Sequence, residues 1–203
     1  TPYASCLVGL AAFLLVSVGS VIAIAIFLDV HGVYPTFSEA LRFSAFNVVS
    51  IATTTGYAST DYALWPMFAP LWMLFLSSFA TSAGSTGGGI KMIRAIVLYK
   101  QVYRELTRAM HPNAIHPVKI RGELVPSNIL FAVLAFGFMY MVCIVSMTLA
   151  LSFSGLEIVT AFTAVVASIN NTGPGLGQVG PATNFGSLSD FQTWVCTLAM
   201  LLG

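Results

Sequence analysis

Two short loops of the sequence combine small polar residues with glycine in a pattern suited to holding a cation. Thr53–Tyr57 reads Thr-Thr-Thr-Gly-Tyr, and Asn170–Gly175 reads Asn-Asn-Thr-Gly-Pro-Gly. A cation that leaves water needs other oxygens around it, and stacked backbone carbonyls supply them without adding a fixed charge. Gly56, Gly173 and Gly175 can adopt the positive φ values that turn successive carbonyls toward one axis. Both loops therefore predict backbone coordination of a cation.

The two loops together define the predicted ion-binding residues. These are Thr53, Thr54, Thr55, Gly56, Tyr57, Asn170, Asn171, Thr172, Gly173, Pro174 and Gly175. The predicted ligands are the carbonyl oxygens of Thr54, Thr55, Asn171 and Thr172. Either loop, taken singly, is more simply an ordinary turn. Each one, however, ends a short uncharged segment that follows a long apolar run, and this double occurrence favours a selectivity filter.

The composition places these loops in a membrane protein. Of 203 residues, 57% are hydrophobic and only 7% are charged, which leaves too few ionised groups to cover a soluble domain of this size. Seven of the eight Lys and Arg residues lie between Lys91 and Arg121. Because positive residues concentrate in cytoplasmic segments, we expect this stretch to face the cytoplasm and the acidic loops to face outside.

Three apolar runs are long enough to cross the hydrocarbon core as helices. They are Leu7–Leu28, Trp65–Ile90 and Ile129–Phe153. The interval between the first two must begin and end on the outer side, yet Phe43–Ala58 within it carries no charge. Its helical part is about 13 or 14 residues, too short for a span, which favours a re-entrant helix that enters the membrane and returns.

The same arrangement recurs after the third span, at an offset of about 116 residues that suits the internal repeats of membrane transport proteins. The S/T-x-x-E pattern that starts a helix occurs at Thr36 with Glu39 and again at Ser154 with Glu157, two residues out of register with the repeat. We therefore expect an all-α membrane protein built from repeated units of helix, re-entrant pore helix with filter loop, and helix.

The two loops and a third motif together resemble the Trk/Ktr/HKT superfamily of potassium transporters, and its Trk-type potassium uptake subunits most closely. The third motif is Ser85–Lys91, which reads Ser-Thr-Gly-Gly-Gly-Ile-Lys. The resemblance covers essentially the whole chain. It implies a potassium-channel-like fold, in which one polypeptide folds four units around a single pore, and it implies potassium as the ion.

The resemblance also divides the chain. Residues 1–110 would form the third of four units, with a broken second helix; residues 111–123 would form a cytoplasmic linker, and residues 124–203 the fourth unit. The apolar run that begins at Asp190 stops at Gly203, after about 13 residues rather than the roughly 20 of a span. We therefore expect the fourth unit to be truncated in its last helix, and the chain to be the C-terminal part of a longer one.

The segment Ala80–Gly89 interrupts the second apolar run with serines and glycines that form a poor helix. The resemblance implies that such an intramembrane loop acts as a gate beneath the filter. The predicted gate residues are Ala83, Gly84, Ser85, Thr86, Gly87, Gly88, Gly89 and Lys91. Close helix packing through small residues is the structural alternative. A phosphate-binding loop is disfavoured, because the spacing departs from G-x-x-x-x-G-K-[ST] and no strand precedes it.

Further expectations about partners and location follow from the resemblance. They are a homodimer of four-unit subunits, a cytoplasmic nucleotide-binding regulatory subunit, and a multi-pass location in the bacterial inner membrane. We expect K+ as the transported ion, no organic cofactor and no nucleic-acid partner. We expect no enzymatic activity, because no His, Asp, Ser or Cys constellation suits catalysis. The alternative function is a secondary transporter whose broken helices bind sodium and a small solute.

Acidic residues surround the outer entrances of the two loops, where a ring of carboxylates would concentrate cations. They are Asp29, Glu39, Asp61, Glu157 and Asp190. Helix capping accounts equally well for the two glutamates. Arg42 is the lone outer base, and we expect it to pair with Glu39 or another nearby acid.

Overall fold

The computed structural model describes residues 2–79, 88–111, 118–120 and 123–203. The helices of these residues are, in chain order, α1 (Pro2–Val30), α2 (Phe37–Ala52), α3 (Phe68–Phe79), α4 (Met92–Met110), α5 (Ser127–Phe153), α6 (Ile158–Ile169) and α7 (Asp190–Leu202). The strands β1 (Lys119–Ile120) and β2 (Glu123–Leu124) pair as a short antiparallel hairpin. The predicted all-α fold is confirmed.

The long helices α1 and α5 correspond to the first and third predicted spans. By length and composition, the stretches Val8–Val30, of 23 residues, and Ser127–Phe153, of 27 residues, are able to cross a membrane. Many of their large side chains are exposed, among them Leu15 at 75% and Phe138 at 69%. Apolar surface of this extent is unfavourable in water and favourable against lipid.

Each long helix packs against the short helix that follows it. Leu28 of α1 and Val48 of α2 are fully buried in one apolar cluster. Leu151 of α5 and Val165 of α6 are fully buried in a second cluster. One face of each short helix is therefore buried against the long helix that precedes it.

The helix α3 lies between the two units. Its Met73 belongs to the first apolar cluster, and the adjacent Leu74 belongs to the second. The apolar run that begins at Trp65 is not one continuous helix, because the described residues 88–91 between α3 and α4 are not helical. This interruption separates an apolar half from α4, which carries much of the basic segment.

The start of α2 lies close to the position that its sequence pattern predicts. Thr36 has an extended backbone, and its hydroxyl accepts a hydrogen bond from the Glu39 amide at 3.4 Å. Because a helix start leaves its first amides unpaired, this bond stabilises the first turn.

The second predicted capping box is wrong. The helix α6 begins at Ile158 after Glu157, and no side chain caps it. Ser154 instead ends α5, where its hydroxyl donates to the Leu151 carbonyl at 2.6 Å. The connection from α5 to α6 is shorter than the one from α1 to α2, so Ser154 is left on the preceding helix rather than at the start of the next.

The complete capping box of the second unit lies at the start of α7. The Ser189 hydroxyl accepts from the Gln192 amide, and the Gln192 side chain accepts from the Ser189 amide at 2.9 Å. The amide nitrogen of the same side chain, Nε2, donates to the Ser154 hydroxyl at 2.9 Å. Ser154 therefore joins α5 to α7.

The predicted ion pair of Arg42 is also wrong. The Arg42 guanidinium lies 4.8 Å from the centre of the Phe43 ring, in a cation–π contact. Within the described ranges, the ion pair that the structure contains joins Arg104 to Glu105, with 3.1 Å between nitrogen and oxygen.

The two roles of Ser154 and Glu157 predict different mutant stabilities. Ser154→Ala removes the bond to Gln192 and should lower the free energy of unfolding by about 1 kcal/mol. Glu157→Gln removes no cap and should change it by less than about 0.5 kcal/mol. Thermal unfolding of the two purified variants in detergent measures this difference. Equal losses of stability in the two variants would indicate that Glu157 does take part in a helix cap.

Candidate cation-binding site

Both loops leave their helices through the same set of backbone hydrogen bonds. In the first unit, three successive amides donate to carbonyls of the last helical turn: Thr53 to Val49 at 2.9 Å, Thr54 to Ile51 at 3.0 Å and Thr55 to Ser50 at 2.8 Å. The second unit repeats these bonds 117 residues later: Asn170 to Val166 at 3.1 Å, Asn171 to Ser168 at 3.0 Å and Thr172 to Ala167 at 2.9 Å. This is the Schellman motif, which ends a helix and reverses the chain.

The second residue of each loop adopts the left-handed conformation that this motif requires. Thr54 has φ of 55° and Asn171 has φ of 53°. Asparagine tolerates this region, whereas a β-branched residue such as threonine is strained there. Strain of this kind persists only where the surrounding structure holds the backbone in place.

Glycine is required in the two loops for two different reasons, backbone conformation and close packing. Gly56 and Gly173 have φ of 80° and 102°, as the sequence predicts. Gly175 is not among the glycines with a positive φ, so the positive φ predicted for it is wrong. Instead, a Cβ at Gly175 would lie 3.2 Å from the Thr163 carbonyl carbon and 2.8 Å from the Val179 side chain. Gly175 is needed because the returning chain passes close to α6.

Each returning chain is tied to a buried polar side chain of its own short helix. The Ser59 amide donates to the Asn47 side-chain oxygen at 3.1 Å. The Leu176 amide, 117 residues later, donates to the Thr163 hydroxyl at 3.0 Å. Asn47 and Thr163 are 0% and 1% exposed. Neither residue is among those predicted from the sequence. The pattern that could have indicated them is a polar residue within an apolar helix.

The two loops meet at their glycines. A Cβ at Gly56 would collide with the Thr172 carbonyl oxygen and would lie 3.3 Å from Cδ of Pro174. A Cβ at Gly173 would lie 4.0 Å from Cα of Gly56. The residues that were predicted as one site from two distant segments are therefore brought together.

The predicted ligand carbonyls are free. Within the described ranges, the carbonyl oxygens of Thr54, Thr55, Asn171 and Thr172 accept no hydrogen bond, whereas the amides of the same residues donate to their helices. The Tyr57 side chain is 72% exposed, and Asn170 is fully buried. The first three amides of each loop are therefore bonded to the preceding helix, and these four carbonyl oxygens are available for a cation.

The predicted gate residues are only partly described. Residues 83–87 lie outside the described part of the chain. Gly88 and Gly89 lie against the end of α6, where a Cβ at Gly88 would be 2.7 Å from the Ile169 carbonyl oxygen. Lys91 precedes α4 without forming a side-chain cap.

The outer acidic residues differ in their surroundings. Asp61 accepts a hydrogen bond from the Ala63 amide at 3.1 Å and starts a short 3-10 helix, so capping accounts for it. Asp29, Glu157 and Asp190 are exposed, and Glu39 is partly buried. Their predicted effect on local cation concentration stays a prediction.

The paired long and short helices, with a glycine loop after each short one, define the class of this protein. It is an all-α membrane protein of repeated pore-loop units, the architecture that potassium channels also use. The family model described as TrkH, cation transport protein, matches residues 3–203. The chain belongs to this family.

Similar proteins with curated names agree with this assignment. The chain is 42% identical over 170 residues to the Trk system potassium uptake protein TrkH of Vibrio parahaemolyticus, a match that covers 84% of this chain and 34% of that protein. It is 35% identical over 191 residues to the Trk system potassium uptake protein TrkG of Escherichia coli K12, covering 94% of this chain and 39% of that one. The chain therefore spans about a third of the length of these relatives.

The fold is similar to that of a solved structure from the same group. The crystal structure of the potassium transporter TrkH from Vibrio parahaemolyticus has a TM-score of 0.89 to this chain and 38% sequence identity. The similarity covers 96% of this chain and 41% of that one. The assignment of residues 1–110, 111–123 and 124–203 to units and linker stays a prediction.

The contact between the loops predicts unequal effects of alanine at the two glycines. Gly56→Ala adds both left-handed strain and a collision with Thr172, whereas Gly173→Ala adds strain alone; strain of roughly 1–2 kcal/mol is expected for each. We expect both to lower the ratio of rubidium to sodium uptake, Gly56→Ala by about tenfold or more.

Gly32→Ala is the matched control for this pair. Gly32 has φ of 64° and no atom within 4 Å of an added Cβ, far along the chain from either loop. This variant should be slightly less stable with an unchanged uptake ratio. A larger effect at Gly173 than at Gly56 would contradict the observed contact between the loops.

Proposed function

We propose that this chain forms part of a potassium-selective pore of a membrane uptake protein. The observation that carries the proposal is the pair of matching loops whose four carbonyl oxygens are unpaired while their amides are bonded inward. Potassium is supported by the relatives, which are named potassium uptake proteins, and by the solved structure, which is titled a potassium transporter.

The carbonyls of Thr54, Thr55, Asn171 and Thr172 would replace the water shell of the ion. The C-terminal ends of α2 and α6 add partial negative charge beside them. No side-chain carboxylate is needed, so the ion is not held by a full charge that would slow its release. The chemistry is exchange of ligands, with no covalent step.

Two loops supply half of the oxygens that a ring of four loops provides. We propose that two further units of the full-length polypeptide complete the ring, and that this chain supplies the third and fourth. The relatives, about two and a half times as long as this chain, have room for such units. The location is proposed to be a bacterial inner membrane crossed several times, with 91–121 on the cytoplasmic side.

Two further parts of the proposal rest on family resemblance. The segment Ala83–Gly89 with Lys91 is proposed as an intramembrane gate beneath the filter. A homodimer and a cytoplasmic nucleotide-binding regulatory subunit are proposed as the assembly. The relatives are named as proteins of a Trk system, which agrees with an assembly of several components.

The alternative is a secondary transporter of sodium and a small solute. It requires a pocket of solute size beside the broken helices. The cavity between α3 and the second loop, lined by Ser77, Thr172 and Leu176 among others, has a volume of about 10 Å3. This is room for about one water molecule, so this particular cavity is too small for an organic solute.

Uptake measurements separate the two functions. In vesicles or cells containing the full-length protein, we expect rubidium uptake that potassium competes and that sodium competes at least about tenfold less well, because carbonyl filters discriminate by replacing the potassium hydration shell. Amino acids and sugars should have no effect. Sodium-dependent uptake of an organic solute without rubidium uptake would overturn the proposal.

Deletion tests the proposed gate. Removing 81–87 should raise basal rubidium flux by about tenfold or more if the segment closes the pore in the resting state, which corresponds to loss of a barrier of about 1.4 kcal/mol. The uptake ratio of rubidium to sodium should change little, because the filter loops are intact. Flux at the level of the unmodified protein would contradict the gate.

A further inference from the structure

The side chain of Asn170 forms a buried junction at the start of the second loop. Asn170 is 0% exposed. Its Oδ1 accepts a hydrogen bond from the Tyr140 hydroxyl at 2.9 Å. Its Nδ2 donates to the hydroxyls of Ser78 at 3.0 Å and Ser77 at 3.3 Å. One amide thereby joins the first residue of the loop to α5 and to the end of α3.

Among the described residues, the first loop has no such junction. Thr53 occupies the position that corresponds to Asn170 and is exposed. Its hydroxyl donates to the Val49 carbonyl at 2.7 Å and lies 2.8 Å from the Thr55 hydroxyl. These contacts remain within one helix and its loop. The two loops have the same backbone but are held by their surroundings in different ways.

The Tyr140 hydroxyl has its bonding partner in this junction. Tyr140 is 6% exposed, and its ring stacks on Phe136 with 6.3 Å between the ring centres. Phenylalanine would fill the same apolar space, so packing does not account for the hydroxyl. A buried hydrogen bond is stronger in low dielectric, and it fixes the orientation of the group that it meets.

The same junction meets the chain after the break between α3 and α4. The Ile90 amide donates to the Ser78 carbonyl at 2.8 Å. A Cβ at Gly89 would collide with Oδ1 of Asn170. The backbone of 88–90 is therefore packed directly on the Asn170 side chain, and Ser78 binds both.

We infer that Tyr140 is a positioning residue for the second loop. By holding the Asn170 amide, its hydroxyl sets where the carbonyls of Asn171 and Thr172 lie relative to the first loop. Without this bond the amide keeps only its bonds to Ser77 and Ser78, and the backbone that follows loses one of its fixed points. The inference rests on the proposed cation function, because it assigns Tyr140 a role in discrimination between cations.

Tyr140→Phe tests this role, with Tyr34→Phe as the matched control. Tyr34 also stacks on a phenylalanine, Phe43, at 4.8 Å, and its hydroxyl also has one side-chain partner, accepting from the Trp65 indole nitrogen at 3.2 Å. Each variant loses one hydroxyl and one side-chain hydrogen bond, to Asn170 in the case of Tyr140 and from Trp65 in the case of Tyr34. Of the two tyrosines, Tyr140 alone is bonded to a residue of the predicted ion-binding loops.

In the full-length protein, Tyr140→Phe should lower the ratio of rubidium to sodium uptake by about threefold or more, the change expected for one net hydrogen bond. Tyr34→Phe should leave that ratio unchanged. Protein amount in the membrane and thermal unfolding are measured for both, so that a purely structural loss is recognised by a matching fall in stability. A ratio in Tyr140→Phe equal to that of Tyr34→Phe would overturn the inference.

A double-mutant cycle with Ser78→Ala adds a second readout. Tyr140 and Ser78 act on the same amide, so the double variant should be little worse than the worse single one. Independent, multiplying losses would overturn the shared route through Asn170. Absence of cation uptake by the unmodified protein would overturn the proposed function itself, whereas normal discrimination in Tyr140→Phe would overturn the positioning role alone.

Discussion

The constraint on which this structure depends is the cost of non-helical backbone at membrane depth. An unpaired amide or carbonyl in hydrocarbon costs several kcal/mol, so a loop can enter the membrane only where its polar groups have partners or face water. Here the first amides of each loop are bonded to the preceding helix. Within the described ranges, the carbonyls of Thr54, Thr55, Asn171 and Thr172 accept no hydrogen bond. A cation site is therefore a direct result of ending a short helix in this way, provided that the free oxygens face an aqueous path.

Both short helices end in the same backbone motif, and this motif requires particular residues at matching positions of the two units. A helix that ends in a Schellman motif needs a left-handed residue directly after its cap, and the chain supplies Thr54 and Asn171. Threonine is a poor choice on backbone grounds alone. The strained backbone of Thr54 is kept in place by the hydrogen bond between Ser59 and Asn47 at the far end of the loop. Contact with the second loop also restrains it. The pore loops are thus fixed at both ends before any ion is bound.

Much of this architecture could be predicted from the sequence, because long-range patterns carry it. Length and hydropathy predicted α1 and α5, and the 117-residue spacing of Gly56 and Gly173 predicted two matching loops. Short patterns were less reliable. The S/T-x-x-E motif at Ser154 was overridden by a shorter connection that placed Ser154 on α5. Arg42 lies over an aromatic ring instead of beside Glu39, because a single-sequence pattern does not show which neighbour is reached first.

The residues that the sequence did not reveal are those whose partners lie far along the chain. Asn47, Thr163 and Tyr140 look like isolated polar residues in apolar helices, and only the fold shows what they meet. Tyr140 also gives the second unit a hydrogen bond to the first residue of its loop, Asn170.

In a pore built from four identical subunits, a contact made by one loop is made by all four. In a single chain each unit is free to differ. Here, within the described residues, the Asn170 side chain links the second loop to α3 and α5, whereas the Thr53 hydroxyl contacts its own helix and loop.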